Sequence, residues 1–450
     1  MQGDSMVLNA KLGLEASRPP GARHAGAGRR HAGAAARLLQ AVLLLAALLG
    51  GAQAQAQAQA APDPASLPEA TTRFMQTYMA RWHMPGASIA VAKDGRLVYT
   101  AAFGYADLQG RRPPEPQTRF RIASVSKPIT AIALFQLLEK RGNLDAQLDR
   151  PVFGPQGYLP EFTDIADPRV LRVRLRDLLQ HTGGWYWPDG YDPQYDLIDI
   201  ARAQGGTSPA SHTDVIRYVL RTQRLGVDPG KAFHYSNFGY NLLGRVIEKL
   251  AAKPYAQVVS DMLLPLGIRD MEIAHGRLQH LLPDEARYYD GPDAQPVPDI
   301  YDGGATKTLQ AYGGFDFNTM DAHGGWIATP TDLVRIALAV TPGHAGPQLL
   351  APSTISVMTR PRPETGDPTA ALGWVSRQAG ADISHAGALE SSTLSYLNRR
   401  ADGVTWAVIF NHGPATGADV QGMASGLLQG MDAVFKHVRQ WPAAIDGQSR

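Results

Sequence analysis

Strand-forming runs in this chain gather near its two ends and are nearly absent from the middle. On the N-terminal side, Ala87-Ser88-Ile89-Ala90-Val91-Ala92 and Arg96-Leu97-Val98-Tyr99-Thr100 flank Asp94-Gly95. An Asp-Gly pair between two such runs predicts a hairpin, because a type I′ turn needs positive φ at both central residues. Four further runs come late, at 371–375, 382–385, 394–397 and 405–410. Between them, residues 160–345 read as helix and loop. The order is strands, helices, strands and a last helix over Val420–Trp441. It predicts one α/β sheet domain interrupted by a helical insertion.

The helices are read from apolar spacing. From Ser124, apolar residues recur at Ile129, Ile132, Ala133, Leu134, Leu137 and Leu138 until Gly142-Asn143 stops them. Leu171–Gln180 and Asn241–Ala252 are amphipathic. Thr329-Pro330-Thr331-Asp332 has a capping threonine, a proline at the first helical position and an acid in the first turn.

Charge is uneven. Residues 1–54 hold six basic and two acidic side chains, so that segment carries +4 of a chain whose net charge is +2, and the rest carries −2. The segment ends in an apolar run over 38–49 and Ala52-Gln53-Ala54. A basic region, a short apolar core and an Ala-x-Ala site predict a signal peptide over 1–54, and an uncleaved anchor is the competing reading. An Ala/Gln/Pro-rich linker is expected over 55–69, and one domain over 70–441. Its sheet part covers about 70–160 and 346–441, its helical part about 161–345, and a tail follows over 442–450. The mature chain is expected to be exported, periplasmic or secreted, with no membrane anchor. With 44% hydrophobic and 19% charged residues it buries a sizeable core. The absence of cysteine excludes disulfides, thiolate metal sites, a cysteine nucleophile and a lipoprotein anchor.

Three short motifs carry chemistry. Ser124-Val125-Ser126-Lys127 puts a hydroxyl and an ammonium one helical turn apart. A serine needs a neighbour to take its proton, and a desolvated lysine does this once its pKa falls. Ser126 has no lysine three residues on. Tyr235-Ser236-Asn237 offers a phenol relay and an amide for a substrate amide. His385-Ala386-Gly387-Ala388 ends a strand-like run, where a glycine lets a substrate lie along the strand edge. Singly, each motif also reads as a cap, a packed turn or a surface histidine.

In this order, the motifs resemble those of the serine β-lactamase and penicillin-recognising hydrolase superfamily, in its class C β-lactamase-like branch of esterases and D-peptidases. Arg121-Ile122-Ala123, the stretch 178–184, Pro229-Gly230 with 241–244, and 324–329 leading into Asp332-Leu333 match it too. The resemblance implies an α/β (α+β) β-lactamase-like fold: an antiparallel sheet flanked by helices, with an inserted all-helical subdomain. It implies Ser124 as the acylated nucleophile, with Lys127 and Tyr235 sharing proton transfer. It implies Asn237, His385 and Gly387 as substrate-binding, and the N–H groups of Ser124 and Ala388 as the oxyanion site. His181 matches a family position and reads as structural.

Two departures bear on specificity. His385 stands where the branch's β-lactamases carry lysine, which weakens carboxylate recognition, since histidine is mostly neutral at pH 7. Glu390 follows; it reads equally as a charge at the pocket mouth that repels anions or as a side chain pointing into solvent. Trp185, Tyr186, Trp187, Tyr191 and Tyr195 crowd one loop. They read equally as an aromatic wall that includes Trp187 or as a loop stapled by its own rings. There is no His-Glu-x-x-His, Gly-x-Ser-x-Gly, P-loop or Rossmann fingerprint, and His275 and His280 lack a third ligand. A near-neutral mature chain argues against nucleic acid as partner. The expectation is an exported, cofactor-free and metal-free serine hydrolase acting on a small-molecule or peptide substrate, an ester or a D-amino-acid-type amide. A β-lactamase or D,D-carboxypeptidase and an idle cell-wall-fragment binder are the competing readings.

Overall fold

A computed structural model describes residues 66–187, 191–291, 294–414 and 417–445. The signal-peptide reading therefore lies outside the described residues. Helix α1 (Leu67–Arg81) starts inside the stretch read as linker, with Ser66 and Glu69 forming a capping box. Strands β1 (Gly86–Lys93) and β2 (Arg96–Gly104) form the expected hairpin, with positive φ at both Asp94 (49°) and Gly95 (81°).

The remaining large strands are late: β8 (Val375–Arg377), β9 (Asp382–Leu389), β10 (Thr393–Arg399) and β11 (Val404–Phe410). They join the hairpin in one antiparallel sheet of order β2-β1-β11-β10-β9-β8. The run at 371–375 is strand only at its last residue, where β8 begins. Between β2 and β8, β3 (Phe120–Arg121) pairs with β7 (Trp326–Ala328), which also pairs with β4 (Glu272–Ile273). A separate ribbon joins β5 (Val297–Pro298) to β6 (Lys307–Thr308). The insertion is thus mostly helical, with these small sheets embedded in it.

Each face of the sheet has its own core. Ile89, Val91, Tyr396, Trp406, Val408 and Phe410 pack against α1 and the C-terminal helix (Gly417–His437). The alternate residues Ala90, Ala92, Ile383, Leu397, Ala407 and Ile409 join the core of the helical part. Strand period places His385 and Gly387 on the same face as Ile383, towards the helical part. It sends Ala386 and Ala388 to the opposite face, where both join the other core.

At the centre lies α2 (Ser126–Glu139), buried on all sides through its first turns, as a helix enclosed between two layers must be. It packs against α3 (Asn237–Ala251), which starts four residues earlier than the apolar pattern indicated because Ser236 caps it through Gly239 N–H (3.0 Å). The stretch 171–180 does not form one helix. A 3-10 turn over Pro168–Arg172 and a short helix over Leu175–Leu179 replace it, with extended backbone at Val173 and Arg174 between them. The threonine cap at 329 is present, with Asp332 reciprocating.

One hydrogen bond joins the outer helices. Tyr78 Oη donates to Met423 O at 2.7 Å in a buried setting. Tyr78→Phe is expected to lower unfolding stability by about 1 kcal/mol, the usual net worth of such a bond. A denaturant melt checks this, and hydrolytic activity is expected to stay unchanged.

Candidate active site

Ser124 sits on a 3-10 turn, Ala123–Val125, between β3 and α2. The turn is strained, with Ala123 at φ 46°, a left-handed conformation that costs a residue with a Cβ about 1–3 kcal/mol. Tethers hold it there. Ile122 N–H donates to Trp326 O (3.0 Å), and Thr393 and Ser395 of β10 donate to the carbonyls of Arg121 and Ile122 (both 2.7 Å). Ser126 is structural, since its hydroxyl accepts from Trp326 N–H.

Lys127 is wholly buried. Its Nζ lies 3.1 Å from Ser124 Oγ, 2.8 Å from Asn237 Oδ1 and 2.8 Å from His323 O. Burial drives its pKa well below the lysine value, while the carboxylate of Asp192 pulls the other way. The neutral amine has two N–H bonds and one lone pair. Asn237 Oδ1 and His323 O can only accept, so they take the two N–H bonds, and the lone pair is left for the Ser124 hydroxyl proton.

Tyr235 is brought beside this pair. Lys127 Nζ stands 4.7 Å from its ring centroid. The Tyr235 hydroxyl is buried and makes no hydrogen bond of ordinary geometry. Burial raises its pKa well above that of a free phenol, and the nearby Ser124 side chain opposes this more weakly. Tyr235 is therefore a neutral O–H, suited to giving a proton. His181 holds its turn: the ring packs 4.3 Å from the Tyr235 ring, and Nδ1 accepts from Ser236 N–H at 3.1 Å.

The opposite wall is β9. A Cβ on Gly387 would lie 2.3 Å from Ile122 O, 2.5 Å from Ser395 Oγ and 2.9 Å from Ser124 N. Only glycine lets the strand pass this close to the Ser124 turn. His385 is buried, its Nδ1 is 2.7 Å from Ala386 O, and burial with the Lys127 charge lowers its pKa to about 3. This wall carries no positive charge at neutral pH. Ala388 is paired with Leu394 one residue beyond Gly387. Glu390 is half-buried, and burial, with Asp290 nearby, raises its pKa to about 7.

The aromatic loop is held by its rings. Trp185 meets Phe238 edge-on (4.9 Å), Tyr186 stacks on His234 (4.3 Å) and Trp187 meets Tyr191 edge-on (6.0 Å). Trp187 is half-buried against the helical core. Sequence reasoning missed Asp192, Gln194 and His323. Asp192 is 6% exposed, and its Oδ2 accepts from Asn237 Nδ2 at 2.7 Å. One signal was available: a carboxylate directly before a proline inside an aromatic stretch, the pattern of an Asx cap. His323 acts through a carbonyl, which no side-chain motif reports. Among the described residues, no group of three or more His, Asp or Glu is placed to hold a metal ion, and no helix is long and apolar enough to cross a membrane.

The profile described as Beta-lactamase matches residues 71–427. Esterase EstB of Burkholderia gladioli is 29% identical over 324 residues, which are 69% of this chain and 79% of that protein. Penicillin-binding protein 4* of Bacillus subtilis is 29% identical over 206 residues, 44% of this chain and 40% of that one. Among solved structures, the D-amino acid amidase of Ochrobactrum anthropi bound to D-phenylalanine superposes with a TM-score of 0.62. It is 23% identical and covers 83% of this chain and 99% of its own. An octameric penicillin-binding protein homologue of Pyrococcus abyssi gives 0.59 at 23% identity, over 81% and 78%.

Two outcomes follow from the site's packing. Gly387→Ala is expected to cost about 1–3 kcal/mol by overpacking and to slow covalent labelling of Ser124 by a fluorophosphonate, read from melts and labelling rates. Burial also lowers the pKa of His181 and His323 along with His385. Unfolding lets each take a proton below about 6.5, so the unfolded state binds more protons there. The three histidines outnumber Glu390, whose raised pKa acts in the opposite sense near neutrality, so stability is expected to be lower at pH 3 than at pH 6.5, seen as a lower urea midpoint.

Proposed function

The chain belongs to the Beta-lactamase family of serine hydrolases, and on that premise we propose that it is an exported esterase working through an acyl-enzyme on Ser124. The observation that carries this reading is the buried contact of Lys127 Nζ with Ser124 Oγ at 3.1 Å, with both amine N–H bonds already engaged elsewhere. In acylation the Ser124 O–H bond breaks and its proton passes to Lys127. Oγ bonds to the substrate carbonyl carbon, and the carbonyl electron pair moves to oxygen, held by the N–H groups of Ser124 and Ala388. The electron pair on that oxygen then re-forms the carbonyl and the carbon–oxygen bond to the leaving alcohol breaks; the Tyr235 hydroxyl protonates the departing alkoxide, and Lys127 restores the Tyr235 proton. Water then takes the place of the leaving group, and the steps run in reverse. Asn237 and His385 hold the substrate on either side.

Ester preference rests on charge. The neutral His385 offers nothing to a carboxylate, and Glu390 adds negative charge above pH 7. The likeness to Esterase EstB supports the same choice. D-amino-acid-type amides are the second substrate class, supported by the fold shared with the D-amino acid amidase. Export rests on the basic and apolar N-terminal segment.

The test combines a fluorophosphonate, p-nitrophenyl acyl esters and a chromogenic cephalosporin. A mass-spectrometric adduct at Ser124 and ester turnover without cephalosporin turnover are expected. Ser124→Ala should abolish both adduct and turnover. The acid limb of kcat/KM should lie well below 10.5, because the neutral amine exists above the lowered Lys127 pKa. An unlabelled chain with no turnover would sink the reading.

A further inference from the structure

Lys127 can address its lone pair to Ser124 only if Asn237 presents oxygen, not NH2, towards the amine. An amide side chain has no intrinsic reason to prefer that orientation. Asp192 supplies one. Both of its oxygens accept: Oδ1 takes Gln194 N–H at 2.9 Å, and Oδ2 takes Asn237 Nδ2 at 2.7 Å. A carboxylate that accepts on both sides forces the Asn237 NH2 towards itself and the Asn237 oxygen towards Lys127. The hydrogen bonds then run in one direction, from Lys127 to Asn237 to Asp192.

Resting on the proposed acyl-enzyme reading, we propose that Asp192 is a positioning residue that sets the polarity of this chain and so aims the Lys127 lone pair at Ser124. The backbone N–H of Gln194 pins the carboxylate from one side. The Gln194 side chain reaches the same neighbourhood, its Oε1 lying 3.1 Å from His323 Nε2, on the residue whose carbonyl receives the second Lys127 N–H. The frame around the amine is therefore fixed at both acceptors.

Asp192→Asn disturbs this in a defined way. The substituted amide has one acceptor oxygen, which Gln194 N–H claims, and an NH2 that faces Asn237. Asn237 then rotates to offer its oxygen to that NH2 and its own NH2 to Lys127. The Asn237 NH2 donates to the amine lone pair and withdraws it from Ser124. The anion that raises the Lys127 pKa is lost as well. Burial pushes the Asp192 carboxyl up, while the Gln194 N–H, Asn237 and Lys127 hold it down. The other titratable groups are Tyr195, which faces Asp192 and Asn237, and, around Lys127, Tyr235, Tyr240, His181, His323 and His385. The substitution leaves all six in place.

The experiment measures ester kcat/KM against pH for wild type, D192N and D192E, with fluorophosphonate labelling and melting curves alongside. D192N is expected to lose about 100-fold in kcat/KM, the scale of a misdirected general base, mostly in kcat. Its acid limb should move to lower pH. D192E keeps two acceptor oxygens and should recover part of the rate and the wild-type limb. If D192N shows no cooperative melt, D192S, which also removes the anion, is read the same way. A D192N limb at the wild-type pH, whatever the rate, overturns the inference while leaving the acyl-enzyme reading standing. A wild-type chain with neither adduct nor turnover overturns both.

Discussion

One amine held out of water governs the centre of this molecule. An ammonium at the position of Lys127 would need strong compensation for lost hydration. The structure supplies only partial compensation: two carbonyl oxygens, a hydroxyl, aromatic faces and a carboxylate one residue removed. That shortfall keeps the proton loosely bound. The rest of the architecture serves the enclosure. Helix α2 brings Lys127 in from one side, the start of α3 closes it with Asn237, and the turn before β7 adds the His323 carbonyl. Weakening any of these would let water in and return the lysine to an ordinary, fully charged state.

The sheet contributes a second constraint, which is steric. Strand β9 and the Ser124 turn approach more closely than a methyl group allows, and Gly387 is where that approach occurs. The side-chain ties from Thr393 and Ser395 on β10 hold the turn from the next strand over. Ser124 is therefore held by the backbone of β9 on one flank and by the hydroxyls of β10 on the other, and the strained φ of Ala123 persists because its surroundings leave no room to relax.

Much of this was legible beforehand, and the divide has physical causes. The hairpin at Asp94-Gly95, the cap at Thr329 and the central helix are local signals, set by turn geometry and apolar spacing. Ser124, Lys127, Tyr235 and Asn237 lie in short motifs whose residue types suit the chemistry, and the fold brings all four together. What stayed hidden was non-local or carried by backbone. Asp192 reads in sequence as a turn former, and only the approach of α3 turns it into a partner for Asn237. His323 offers a carbonyl, which every residue has. The split of 171–180 into two short turns depends on packing that amphipathic spacing does not report. Trp187, in the loop that allowed two readings, is held by the core and by Tyr191.

Strand β1 lies between β2, its neighbour in sequence, and β11, more than three hundred residues later. The order of synthesis makes this consequential. A nascent chain that already contains Ser124, Lys127 and Tyr235 still lacks the strand that fills the middle of its sheet, so β10 and β9 have nothing to dock against. The Ser124 turn then has no clamp, and Lys127 has no dry enclosure. On the proposed reading, the site is completed only with the pairing of the two ends of the chain. Long-range pairing of this kind is slow. In exchange, a partly made chain carries a serine that is chemically ordinary.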